Sequence, residues 1–125
     1  MPTAKIGTNI ITLEVAQTRD EIQRGLMFRT SLQKESGMVF LFPRGYKANF
    51  WMKNTLIPLD MIFVLDGKIV KIFHDVPPCK AANDRDCPHY PAGDGISVSE
   101  VVEVNAGYCK KHGIKEGDSI EFSMK

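Results

Sequence analysis

Seven polar side chains stand where the surrounding sequence offers them no obvious structural duty: Arg29, Lys53, Asn54, Thr55, Asp60, Glu103 and Asn105. Mixed charges with amide and hydroxyl groups suit a small polar ligand or a peptide better than a phosphate. Four of the seven fall in one stretch, Phe50–Leu65 (FWMKNTLIPLDMIFVL), which also carries the single tryptophan, Trp51. Lys53, Asn54 and Thr55 end one short apolar run and Asp60 begins the next, so the chain corner keeps them within reach of each other. The expectation is one polar cluster beside Trp51, joined by Arg29 and Glu103. Arg29 is the preferred cation for Asp60 or Glu103, because its planar fork can bridge two carboxylates where Lys53 offers only a point charge. Asn54 is expected to be satisfied by backbone groups. The plainer alternative is a turn in which Asn54 and Thr55 cap the backbone, with the ionic groups forming an internal network.

Other chemistries fit the residues less well. His74, Cys79, Cys87 and His89 hold the right atoms for tetrahedral zinc, but their spacing matches no standard ligand knuckle. Met27, Met38, Met52 and Met61 are thioethers of the kind Cu(I) selects, and Met is equally a routine core filler. Cys109 and His112 are three apart and could share a helix face, yet a buried thiol beside an exposed histidine explains them as well. No Gly-x-Ser-x-Gly, phosphate loop or dinucleotide fingerprint is present. No metal or cofactor is therefore expected. The preferred function is a non-catalytic binding or accessory module. The alternatives are a low-turnover hydrolase using Asp60 and Glu103, or a soft-metal (copper) protein using the methionines.

A chain of 125 residues fits a single domain, 1–125. Its net charge of +1 gives no electrostatic footprint for nucleic acid, and no apolar run approaches the ~18 residues of a membrane helix. Neither nucleic acid nor membrane insertion is expected, and the chain is expected to be a monomer. Met1–Asn9 lacks the charged start and apolar middle of a signal peptide. Asp75–Gly95 is rich in Pro and Gly and poor in aliphatic residues. A run of that length without regular structure calls for a staple, a metal clip or a functional surface loop. Cys79 and Cys87 within it, with Cys109 left over, have the arrangement of one short-loop disulfide and one buried thiol.

The elements that must position these groups are short. Ile11, Leu13 and Val15 alternate with Ile10, Thr12 and Glu14 as in a half-buried strand. Thr18-Arg-Asp-Glu21 is a capping box opening a helix expected to reach about Met27, with Ile22, Gly25, Leu26 and Arg29 on one face. Gly25 in its interior points to close packing against a neighbour, while Arg19, Asp20, Gln23 and Arg24 read as a solvated face. An apolar strand, Gly37–Phe42, is expected to end at Pro43 and a polar turn at Arg44-Gly45. Phe50-Trp51-Met52 suits a short strand. Leu59–Leu65 and Lys68–His74 form a hairpin about Asp66-Gly67. Alternation in its second strand, Ile69 and Phe73 against Val70 and Ile72, leaves apolar residues on both faces and places the hairpin mid-sheet. Val98, Val102 and Val104 are read on one face with Glu100, opposite Val101, Glu103 and Asn105. Asn105 is the expected N-cap of a helix over Ala106–His112 ended by Gly113. Ile120, Phe122 and Met124 mark a closing strand. Strand follows strand without regular crossover helices, so antiparallel pairing should dominate. The expected fold is α+β, mainly β: a compact antiparallel β-barrel-like domain with two short helices.

Arg24-Gly-Leu-Met-Phe-Arg29, Gly37-Met-Val-Phe-Leu-Phe-Pro43, Phe50-Trp-Met-Lys-Asn-Thr55, Pro58-Leu-Asp60, Glu103-Val-Asn-Ala-Gly107 and Gly113-Ile-Lys-Glu-Gly-Asp118 occur in this order. Together they resemble the bacterial and archaeal domain-of-unknown-function family 192 over nearly the whole chain. The resemblance implies a compact β-rich α+β domain, often found behind a secretion signal, and carries no established activity. Some of its members have a cysteine pair in the loop matching Cys79–Cys87, which favours the disulfide. It implies a periplasmic or extracellular location, with the cytoplasm as the alternative where no leader is present.

Overall fold

In the computed structural model residues 1–93 and 95–125 are described, with the backbone alone described at 44–46. Nine strands and two short helices are present among them. The strands are β1 (Thr3–Ile6), β2 (Asn9–Ala16), β3 (Ser36–Tyr46), β4 (Asn49–Trp51), β5 (Leu59–Leu65), β6 (Lys68–Val76), β7 (His89–Pro91), β8 (Val98–Asn105) and β9 (Glu121–Ser123). The helices are α1 (Arg19–Arg24) and α2 (Tyr108–Lys111). Seven strands form one sheet in the order β6-β5-β8-β3-β2-β1-β9, and β4 pairs with β7 in a separate ribbon. All pairs are antiparallel except β2 with β3, whose parallel register is made possible by the crossover through α1.

The sheet curls into a half-barrel. A bridge between Lys68 and Ser119 and the bonds from Ile69 N to Asp118 O and Ile120 N to Gly67 O join the region before β9 to β6, the far end of the strand order. The same segment covers the free edge of β6, where the Glu116 carboxylate also accepts from Ile72 N at 3.1 Å. Covering donors that would otherwise recruit a foreign strand is a common treatment of an edge. The hairpin β5–β6 thus lies at the end of the sheet and not in its middle. It is apolar on both faces because each packs in a separate cluster, and a register shift between Phe63 and Val64 makes Ile69 and Ile72 point the same way.

Two apolar clusters occupy the two faces. Ile11, Leu13, Val39, Ile62, Val102 and Val104 fill the inner face with Ile69, Ile120 and, from α2, Tyr108 and Cys109. Met38, Phe40, Met61, Phe63 and Val101 form the outer cluster, roofed by α1 and the β4–β7 ribbon. Val98 belongs with Val101 in this outer cluster and not with Val102, because register breaks between Leu41 and Tyr46 on the partner strand.

Several boundaries differ from those expected. The capping box is formed, with Glu21 N donating to Thr18 Oγ1 at 3.1 Å and Thr18 N to Glu21 Oε1 at 3.0 Å. The helix nonetheless stops at Arg24, and Gly25 is its C-cap with φ +49°. A Cβ there would lie 3.1 Å from the Phe40 ring, so both the backbone angle and the close approach call for glycine. β3 continues past Pro43 to Tyr46, since β8 pairs with it there and the proline falls in the register break. β4 begins at Asn49 and ends before Met52. The long loop contains β7, which pairs Tyr90 with Phe50 and His89 with Trp51. Asp94 of that loop lies outside the described residues. A disulfide joins Cys79 and Cys87, with their Cα atoms 5.6 Å apart, and Cys109 is a buried free thiol.

Candidate functional site

The sheet divides the residues expected to form one cluster. Asp60 faces inward beside Val104, its register partner on β8. It is fully buried, and its carboxylate accepts from three backbone donors: Asp75 N at 2.8 Å, Gly107 N at 3.2 Å and Cys109 N at 2.9 Å. Asp60 therefore caps α2 from β5, on the same face of the sheet. Asn105, expected in that role, is the last residue of β8 and donates instead to Leu32 O at 2.9 Å, while Gly107 occupies the cap position. Cys109, beside Asp60, has its thiol pushed far above the ordinary range by burial and then by that carboxylate.

Glu103 points the opposite way. Its register partners are Met38 on β3 and Met61 on β5, both in the outer cluster. Arg29 does not reach it. Its fork closes on Glu14 at 2.6 and 2.8 Å, and the hydrogen bonds hold the Glu14 carboxyl below its usual range. Glu14 and Glu103 both pair with Met38, so β3 separates them on one face by about two strand spacings, ~10 Å. The guanidinium takes the nearer, half-exposed carboxylate, and the expected pairing of Arg29 with Asp60 or Glu103 is not formed.

The Lys53–Thr55 triplet is a turn. Asn54 adopts φ +58°, a left-handed conformation that asparagine tolerates, and its carbonyl accepts from Phe28 N at 2.8 Å. That bond ties the turn to the segment after α1. Thr55 is buried, with its hydroxyl 3.4 Å from Lys53 O. Lys53 reaches away to Asp84 at 2.6 Å, with its ammonium 5.3 Å from the Trp51 ring centroid. Trp51 stacks on His89 at 5.7 Å. The lysine thus ties the turn after β4 to the disulfide loop, and the tryptophan joins the two strands of the ribbon.

What the outer face does create is a cleft of about 510 Å³ between α1, β3 and β4. Ile22 and Leu26 line it with the rings of Phe40, Phe42, Phe50 and Trp51 and with Thr55. Phe50 organises the aromatic wall, packing edge-on against Phe40 at 5.0 Å, Phe42 at 6.1 Å and Phe63 at 5.9 Å. Glu103 also lines this cleft, only 4% exposed, and among the described residues no side chain or backbone group donates to its carboxyl. Burial alone pushes its pKa up to about 8. Arg19 and Arg24 stand at the cleft's α1 side, and both are exposed. Of the residues singled out by sequence, Trp51, Thr55 and Glu103 meet here. Arg29, Lys53, Asn54, Asp60 and Asn105 do not line it.

The α1 and β3 walls were not apparent from sequence, because Ile22, Phe40 and Phe42 read as ordinary core. The available signal was Glu103 itself: a carboxylate inside the run Val101-Val-Glu-Val104, whose neighbours allow it no solvated side. Among the described residues no group of three His, Cys, Asp or Glu side chains is placed to hold a metal ion, and the paired Cys79 and Cys87 are committed to each other. Met38, Met52 and Met61 are buried core residues.

These features define a mainly β, α+β half-barrel with an aromatic cleft over one buried acid. Residues 2–122 match domain-of-unknown-function family 192, described as "Uncharacterized ACR", and the chain belongs to that family. It is similar to a crystal structure of a protein of unknown function from Novosphingobium aromaticivorans, with 38% identity and a TM-score of 0.82 over 96% of this chain and 83% of that one. It is likewise similar to a proposed transcription regulator from Sinorhizobium meliloti, with 31% identity and a TM-score of 0.79 over 97% and 91% of the two chains. No curated protein matches it.

Proposed function

We propose that this protein is a binding module of the cell envelope, and that its site is the cleft between α1, β3 and β4. The observation that carries the reading is the aromatic-walled hollow of about 510 Å³ around Glu103. Ligand sites are typically concave, mostly apolar hollows of roughly 300–1,000 Å³ with a few converging polar groups. The ligand has an apolar body that fills the space beside Phe50 and Trp51, and a polar end that meets Glu103 and Thr55. Asp60 faces the other side of the sheet with its carboxylate engaged by backbone donors, which argues against a hydrolase built on Asp60 and Glu103 together. The Cys79–Cys87 disulfide supports the envelope, since such bridges persist in oxidising compartments.

Benzyl alcohol, a small apolar probe with one polar group, tests the site. Titrated into the isotopically labelled protein, it should shift amide resonances around Ile22, Phe50 and Thr55 in a saturable way and change the emission of Trp51. Shifts confined to other surfaces, or none at concentrations that saturate an aromatic cleft, would overturn the reading.

A further inference from the structure

We infer that the cleft takes an organic cation, with the Glu103 carboxylate as its counter-charge and the aromatic wall around its apolar body. This rests on the binding reading above and names the ligand class for that site. Glu103 occupies an interior position between Met38 and Met61, and no donor among the described residues meets its carboxyl. A buried polar group without a partner is costly, and a glutamine at this position would present only neutral donors and an acceptor to a ligand. What a carboxyl alone supplies is a negative charge, which is of use when the incoming group is positive. The walls suit the same ligand, because aromatic faces attract cations, and Trp51 already holds the Lys53 ammonium at 5.3 Å on its ring. A bare metal ion fits less well, since among the described residues lining the cleft Glu103 is the one carboxylate, His or Cys.

Among the described residues the charged groups facing Glu103 are few. Arg19 and Arg24 line the cleft from α1, β2 contributes Glu14 already neutralised by Arg29, and β3 and β5 present Met38 and Met61. The two arginines disfavour a small hydrated cation and favour one whose apolar body offsets the repulsion, with a neutral or acidic far end. In the empty cleft the carboxyl keeps its proton at neutral pH, because burial raises its pKa to about 8. Binding then exchanges charges: the O–H bond of the acid breaks, the proton leaves to solvent, and the cation takes its place beside the carboxylate.

Benzyltrimethylammonium, whose charge does not titrate, and benzyl alcohol are compared by calorimetry on the full chain between pH 6 and pH 9. Cation affinity should weaken by roughly tenfold per pH unit below about 8, and near pH 7 binding should release close to one proton, read from buffers of different ionisation heat. Glu103→Gln should abolish this pH dependence and weaken cation binding at pH 9 by at least about tenfold. If that variant does not fold, the proton count on the unmodified chain decides. Alcohol binding with no pH-dependent cation binding or proton release would overturn the inference and leave the binding reading standing. If neither probe binds, both fall.

Discussion

Glu103 and Asp60 are both buried carboxyls on neighbouring strands, and their surroundings set them opposite tasks. Asp60 receives three backbone N–H groups and fastens α2 to β5. Glu103 receives none from the described residues, and burial favours its neutral form. In the unfolded chain its carboxyl titrates near 4.5 and in the folded protein at about 8, so between those values the folded state holds a proton that the unfolded state has lost. The folded state is thus undiminished below the lower value and weakens as pH climbs to the upper one, by on the order of 4–5 kcal/mol as a ceiling. Glu14 and Glu21, held below their ordinary range by Arg29 and by the Thr18 cap, act in the other direction and only in more acidic solution. The melting temperature of the wild type should therefore fall between pH 5 and pH 8, while that of Glu103→Gln stays nearly level. Scanning calorimetry across that window checks it, and a wild-type profile as flat as the variant's would mean that the carboxyl ionises freely.

Single turns and caps hold the elements in the positions this chemistry needs. At the β5–β6 turn Asp66 and Gly67 have φ +48° and +80°, the pair of left-handed angles that a two-residue type I′ hairpin demands. Gly67 also accepts the bond from Ile120 N, so the turn takes part in bringing the region before β9 to β6. Gly67→Val forces a β-branched residue into that angle and should destabilise the fold by more than about 1 kcal/mol. Urea unfolding measures it, and an unchanged midpoint would show that the turn adopts another geometry in solution. The turn at Met52–Thr55 has a comparable role, because the Phe28–Asn54 bond sets the distance between the end of α1 and the end of β4 on either side of the cleft.

At the scale of the whole molecule, the half-barrel supplies the floor of the outer cluster and the ribbon β4–β7 supplies its roof. Phe50 and Tyr90 anchor the two strands in the outer cluster, the Trp51–His89 stack joins them, and the Lys53–Asp84 pair ties the turn after β4 to the loop that the Cys79–Cys87 bridge closes. Under denaturing conditions without reductant, alkylation should label one cysteine, Cys109. In the native protein it should label none, because that thiol is fully buried and strongly disfavoured as a thiolate. Mass spectrometry counts the adducts, and three in the unreduced, denatured chain would reject the bridge. Reduction should lower stability by about 2–3 kcal/mol in the chain-entropy account and shift Trp51 emission as the ribbon loosens.

What the amino-acid sequence determined by itself was local. The span Leu59–Leu65, its turn at Asp66-Gly67 and the Thr18–Glu21 capping box are properties of contiguous residues, set by alternation and by which residues accept left-handed angles or bond their own backbone. Period two also established that Glu103 opposes Val102 and Val104. Tertiary structure decided the rest: that β4 pairs with the brief strand β7, that Arg29 closes on Glu14, and that Asp60 and Glu103 face opposite sides of one sheet. Alternation states which residues share a face of their own strand, but the neighbour each one meets depends on register between segments far apart in the chain. Register in turn follows from bulges and from whole-sheet curl, which minimise exposed apolar surface over the entire molecule and leave little trace in any single stretch.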